Sequence, residues 1–316
     1  VVVAPAEGQY PTVLLVPGLS AEPIVTQLHS KVCALFEGTR GETLRQVILE
    51  EYIRSHQQSR NIQHDITENQ NHNNDNDDDL TTIATSNRQD RNTTTNVRER
   101  RGGQWLENDV QGEKGKWEVL HLLNQGEWIH ENMMQCPQTS EFVQKSISGS
   151  IEEGCIFGNV FISVLEPDTV IERHCGPTNV RHRLHFALQI PSTTTTTPMA
   201  NEYKNCTTTT RTPVTAATNH PDIPTLTVLD QSLTWTEGEC FVFDDSLVHA
   251  ANYPGRRSTT NQDDAKHCVS DNNTTGNQYE DVRAVLIIDL WHPELSNLER
   301  QAIAELYPTS GRRRRR

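Results

Sequence analysis

The 316-residue sequence predicts an all-β core with flanking helices, of the barrel or jelly-roll kind. Three observations lead there. Short apolar runs bounded by turn residues recur along the chain without the alternating helices of a βαβ fold. From Arg181 to Ile190 the residues alternate with period two: Leu184, Phe186, Leu188 and Ile190 take one face, Arg181, Arg183 and His185 the other. The segment Val282–Leu290 is almost continuously apolar, as a strand covered on both faces is. If the cationic face of the second segment points into a barrel, its charges need an anionic guest.

The other elements follow in chain order. Thr12–Val16 reads as a short strand, broken by Pro17-Gly18. Leu44, Val47, Ile48 and Ile53 recur at helical spacing, so Glu42–Ile53 is expected to be an amphipathic helix. Trp117–Leu123, with Trp128 after Gly126, begins the main region, and Glu141–Val143 continues into a helix. Val160–Leu165 is a strand that stops at Pro167. Leu226–Leu229 and Leu233–Trp235 flank a turn. A second turn, Glu237-Gly238-Glu239, feeds Cys240–Phe243, and Asn297–Leu306 closes the chain as a helix.

Apolar content is 34%, low for a packed domain of this size, and the deficit is local. Residues 57–104, 192–222 and 255–281 are rich in Asn, Asp, Thr and Gly and have little apolar period. They are expected to be disordered insertions, since too little apolar surface is present to offset ordering entropy. Setting them aside leaves about 210 residues, suited to a single jelly-roll domain. That domain is expected to span 1–316, with its core at about 105–308 and a basic tail at 309–316. The net charge of −14 argues against nucleic acid as a partner. Arg312–Arg316 reads as a solvated end. No run of 18 apolar residues occurs. The start at Val1 rather than a methionine suggests a missing N-terminal segment. The seven cysteines contain no C-x-x-C pair, which speaks against structural zinc. Sequons at Asn92, Asn205, Asn272 and Asn273 would suit a secretory lumen, but they lie where composition alone produces them.

The chemistry is concentrated in five blocks: His174-Cys175-Gly176-Pro177-Thr178-Asn179, Arg183-Leu184-His185, Phe243-Asp244-Asp245-Ser246, His249, and Val285–Leu295. Together and in this order they resemble the aspartyl/asparaginyl β-hydroxylases, Fe(II)- and 2-oxoglutarate-dependent dioxygenases with a double-stranded β-helix (jelly-roll, cupin-like) fold. The resemblance covers residues 113–308 well and 8–50 weakly. Non-haem iron is usually held by two histidines and a carboxylate, yet Gly176 stands where the His-x-Asp/Glu pattern has its acid. The resembled family carries glycine at that position and manages with two histidines.

The resemblance implies His174 and His249 as the metal ligands. It implies Arg283 as the clamp for the distal carboxylate of 2-oxoglutarate, with Ser163 adding a hydrogen bond. Arg183 and His185 are placed at the other end of the co-substrate and beside the substrate, Arg183 or its neighbours gripping the substrate carboxyl. Arg181 shares that face nearer the strand edge. Asp244 and Asp245 are expected to fix a histidine tautomer, and Trp291-His292-Pro293-Glu294 to serve packing. The implied reaction hydroxylates Cβ of Asp or Asn in a peptide or protein, using O2 and releasing succinate and CO2.

Two other readings stand beside this one. A lipid acyl chain or small molecule could be the substrate of the same site. A barrel that has lost its ligands could serve as a binding module, although His174, His249 and Arg283 persist. The animal enzymes carry a substrate-gripping arginine shortly before the tryptophan corresponding to Trp117, whereas Gly112 stands in this sequence. The resemblance also implies an upstream membrane anchor and an endoplasmic-reticulum or other membrane-associated setting, with the cytoplasm as the alternative. Nothing in the sequence fixes the oligomeric state.

Overall fold

The computed structural model describes residues 5–74, 105–108, 115–191, 223–255, 279 and 281–309, the stretch 63–74 by backbone alone. Most of the three insertions and the whole arginine tail, with Gly112, lie outside the described residues. After an N-terminal arm and a helical turn Thr26–His29 come α1 (Ser30–Cys33), a second turn Ala34–Phe36, and α2 (Gly38–Asn74). The remaining order is β1 (Leu106–Asn108), β2 (Trp117–Asn124), β3 (Glu127–Trp128), α3 (His130–Gln135), α4 (Pro137–Ser146), β4 (Val160–Leu165), β5 (Thr169–His174) and β6 (Arg181–Gln189). The chain ends through β7 (Thr225–Val228), β8 (Gln231–Thr234), β9 (Cys240–Phe243), β10 (His249–Tyr253), β11 (Arg283–Trp291) and α5 (Asn297–Leu306).

The strands form two antiparallel sheets. One runs β1-β2-β4-β11-β6-β9, with β3 beside β2, and the other runs β5-β10-β7-β8. Every residue of β4 and β11 is buried because both faces of the large sheet are covered, which explains their unbroken apolar character. Alternation then decides which layer each residue joins. Ile162, Val164, Leu184, Phe186, Ala284, Leu286 and Ile288 pack with Ile48 and Tyr52 of α2 and Val143 of α4. Phe161, Leu165, Val285 and Ile287 pack with Leu226, Val228, Ala251 and Tyr253 of the small sheet. Ser163, Arg183, His185 and Arg283 lie on this second face, toward the small sheet.

Several expectations are corrected. Thr12–Val16 makes no strand; the arm contributes only isolated bridges, one of them Leu14 with Thr178. Helix α2 runs to Asn74, so residues 57–74, assigned to the first insertion, are helical. The polar composition that suggested disorder is compatible with a helix extending past its packed portion. At the third insertion, Tyr279 is 4% exposed and sits edge-on to Tyr52, 5.8 Å between centroids. Strands β5 and β10 carried no clear alternating signal and were missed. The closing helix falls on its expected bounds, started by a capping box in which the Ser296 side chain accepts from Glu299 N and Glu299 accepts from Ser296 N.

Between α2 and the large sheet, Glu118 lies 3.0 Å from His56 Nε2 and 2.8 Å from Lys116 Nζ. Burial pushes its carboxyl up, but His56 and Lys116 outweigh burial and hold it at about 2 against the usual 4.5. A depressed acid stabilises the fold above its unfolded pKa and loses that contribution as pH falls through the folded one. Stability is therefore expected to drop between about pH 4.5 and 2, by roughly 3 kcal/mol at most from this group. Urea titrations at stepped pH would read this as a slope that Glu118→Gln flattens; an equal slope in the variant would refute it.

Candidate active site

His174 ends β5 and His249 begins β10, and the two are direct partners in the antiparallel ladder. Their rings stand 4.2 Å apart between centroids at 54°. Each ring is oriented by a backbone carbonyl two residues upstream: His174 Nδ1 lies 2.7 Å from Glu172 O, and His249 Nδ1 lies 2.9 Å from Leu247 O. A carbonyl only accepts, so both Nδ1 atoms carry a proton, and each ring in its neutral form presents a lone pair at Nε2. Burial, then the neighbouring His174, lowers His249 to about 4, keeping it neutral as a metal ligand must be. The expected tautomer role of Asp244 and Asp245 is taken by these carbonyls instead. Asp244 accepts from the backbone and hydroxyl of Ser246 at 3.0 and 2.6 Å.

Asp245 and Asp289 occupy the cationic face of β6. Arg181 bonds Asp245 at 2.8 Å and Asp289 at 2.7 Å, and also donates to Phe157 O. Arg183 reaches Asp289 through Nε at 2.8 Å and NH2 at 3.1 Å, with Asp245 3.6 Å from its NH1. Burial pushes the Asp245 carboxyl up, but Arg181 and Arg183 hold it well below the usual range. Two of the three cationic residues expected to require a guest are thus neutralised internally. Arg183 still lines the cavity, but most of its fork is already engaged.

Arg283 differs. It is 2% exposed and, among the described residues, has no acidic partner. Its NH2 lies 3.4 Å from Ser163 Oγ, its Nε has no hydrogen-bond partner, and its guanidinium stands 4.9 Å from the Trp235 ring centroid. Burial alone lowers it to about 9. Ser163 Oγ also accepts from Trp117 Nε1 at 3.1 Å. Trp235 Nε1, which can only donate, lies 3.2 Å from His185 Nδ1. His185, held neutral by burial and by the adjacent Arg283, therefore carries its proton on Nε2. His174, His185, His249, Arg183, Arg283 and Ser163 all line one cavity, walled by Phe161, Trp235 and Phe243.

A family model described as Aspartyl/Asparaginyl beta-hydroxylase matches residues 44–293. The chain belongs to this family. It is 32% identical over 193 residues to "Aspartate beta-hydroxylase domain-containing protein 2" of Homo sapiens, covering 60% of this chain and 37% of that protein. The Xenopus tropicalis protein of the same name is 31% identical over 195 residues, covering 61% and 38%. "Aspartyl/asparaginyl beta-hydroxylase" of Homo sapiens is 27% identical over 191 residues, covering 60% and 18%. The chain thus spans about two fifths or less of the length of these relatives. Among the described residues no helix is long and apolar enough to cross a membrane.

No group of three or more His, Cys, Asp or Glu able to hold a metal occurs among the described residues of this hydroxylase-family chain. The structure gives a reason at Gly176. A Cβ there would meet Asp245 Oδ2 at 2.5 Å, its Cγ at 2.7 Å and its backbone O at 3.0 Å. Asp245 cannot yield, because it is fully buried against Arg181. Gly176→Ala is expected to cost roughly 2–3 kcal/mol by overpacking. Gly176→Asp should cost more, since it sets a second carboxylate beside Asp245. Chemical denaturation checks both, and a Gly176→Asp protein of unchanged stability would show that the steric account fails.

Trp235 and Phe161 were not singled out in the sequence. Phe161 occupies an ordinary apolar position of β4 and Trp235 follows the end of β8, and only the fold reveals that they face the cavity. Trp117 was placed at the start of the region without a role, and its bond to Ser163 depends on a register that spacing does not disclose.

Proposed function

We propose that the chain is an Fe(II)- and 2-oxoglutarate-dependent dioxygenase built on a double-stranded β-helix, in which the two sheets are the halves of the barrel. Support comes from one observation above all. Two histidines whose Nε2 atoms have no hydrogen-bond partner among the described residues face each other beside a buried arginine that, among the same residues, has no counter-ion. The donor set suits iron and a 2-oxo acid: His174 and His249 would hold the metal, while Arg283 and the Ser163 hydroxyl would take the distal carboxylate. When bound, iron supplies the oxygen-activating chemistry, which couples hydroxylation to conversion of 2-oxoglutarate and O2 into succinate and CO2.

The chain's own residues bind and orient. Trp117 and Arg283 occupy both acceptor sites of Ser163 Oγ, leaving its O–H to donate to a guest. Trp235 leaves His185 Nε2–H as a donor in the same cavity. The aromatic walls exclude water and strengthen each of these contacts. The free space of this cavity is about 50 Å³.

By family kinship the substrate is an Asp or Asn residue of a peptide or protein, hydroxylated at Cβ. A second reading, an acyl chain or small molecule of low charge, has a specific observation in its favour. Arg183, the expected grip on a substrate carboxyl, is already bound to Asp289, and the walls are largely apolar. The retained His174, His249 and Arg283 speak against a decayed binding module. Oxygen-free titration of the full chain with Fe(II) and 2-oxoglutarate tests the site. A weak visible charge-transfer band is expected, and a folded protein without one would sink the proposal. Succinate release stimulated by an Asp/Asn peptide rather than by a fatty acid would then separate the two substrate readings.

A further inference from the structure

The geometry points to a regulatory disulfide between Cys33 and Cys240, which would fasten the N-terminal arm to the strand that leads into the histidine-bearing loop. Cys33 ends α1 and is 4% exposed; Cys240 opens β9 and is partly exposed. The two lie 207 positions apart, yet Cys240 Sγ sits 3.9 Å from Cys33 O, and Cys33 Sγ sits 4.0 Å from Thr26 O. Their segments are held side by side just beyond the sulfurs. Val25 N donates to Val242 O at 2.9 Å, Val242 N donates to Thr26 Oγ1 at 2.9 Å, and Ile24 bridges Phe243.

The other described cysteines are poorer candidates. Cys136 and Cys155 are wholly buried, at 0% exposure, so neither is open to an oxidant. Cys175 points to Gly8 O at 3.8 Å.

The arm thus fastened already crosses both histidine loops. Val13 N and Leu14 N donate to Pro177 O at 2.9 and 3.0 Å, and Asn179 Nδ2 donates to Val16 O at 2.9 Å. Gln9 Nε2 donates to Ser246 Oγ at 2.9 Å, and Val248 N donates to Gly8 O at 2.8 Å. Oxidation would therefore stiffen the frame around His174 and His249. The oxidant is a small-molecule disulfide such as oxidised glutathione, entering at the more exposed Cys240. Two protein S–H bonds and one small-molecule S–S bond become one protein S–S bond and two small thiols, which carry away both protons.

This inference stands independently of the iron reading. The full chain would be incubated with oxidised glutathione or with dithiothreitol, alkylated in acid, and mapped by peptide mass. The expected product is a Cys33–Cys240 cross-linked peptide two hydrogens lighter than its parts, with Cys136 and Cys155 still reduced. The oxidised form should melt roughly 5–10 °C higher, because the bridge closes a very long loop. That shift should vanish in Cys240→Ala, at a partly exposed site where folding is safe, and in Cys33→Ala. Cys240 cross-linked to any other cysteine, or both thiols carrying separate glutathione adducts without a cross-link, would overturn the proposal.

Discussion

Arg283→Met is expected to leave the protein as stable as before, or more so, while raising the requirement for 2-oxoglutarate about 100-fold or more. An isolated buried guanidinium costs several kcal/mol of desolvation, and Arg283 recovers little of it. Its bond to Ser163 is long and its Nε has no partner among the described residues. The stacking on Trp235 contributes on the order of 1–2 kcal/mol. A methionine of similar length fills the space without the charge. The bidentate contact to a carboxylate, about 3 kcal/mol when desolvated, is what the variant lacks. Arg181→Met provides the opposite control. It leaves buried Asp245 with only Arg183 at 3.6 Å, while Asp289 keeps Arg183, and should destabilise by roughly 3–5 kcal/mol. Thermal melts beside succinate assays at stepped 2-oxoglutarate decide the matter. If Arg283→Met were destabilised like Arg181→Met and kept its 2-oxoglutarate dependence, Arg283 would be a structural residue.

That contrast marks the limit of what the sequence discloses. The alternation over 181–190 disclosed strand β6 and its faces, because period two is a local property of the backbone. It did not disclose which cations on that face were paired. Their partners, Asp245 and Asp289, lie 64 and 108 positions from Arg181 and meet it only through the register of β6 against β9 and β11. Asp289, the single acid in the apolar run of β11, is set by the ladder opposite Arg183. The histidines were legible as blocks of residues, but their direct opposition in the β5–β10 ladder was not, since neither strand alternates cleanly. Gly176 looked like the loss of a ligand, and only the position of Asp245 turns it into a steric requirement. The polar stretch 57–74 of helix α2 has the composition of an insertion, which hides the length of the helix in the sequence.

His174→Ala and His249→Ala should each abolish turnover, by at least about 1,000-fold, and the double variant should be no worse than either single one, as expected for groups acting as a unit. Two protein ligands make a weak metal site, so the remaining affinity must come from the co-substrate. Linkage then requires Fe(II) and 2-oxoglutarate to tighten each other's binding by the same factor. A titration with wild-type protein should therefore show Fe(II) affinity rising at least about tenfold when 2-oxoglutarate is present, an effect of roughly 1.4 kcal/mol. Arg283→Met should lose most of that coupling while keeping the weak Fe(II) affinity of the histidine pair, whereas His174→Ala should lose both. His174 is exposed at the end of its strand, so its removal should scarcely alter stability, and lost binding cannot then be ascribed to unfolding. Fe(II) affinity indifferent to 2-oxoglutarate, or retained in His174→Ala, would place the metal elsewhere and leave this histidine pair without a role in turnover.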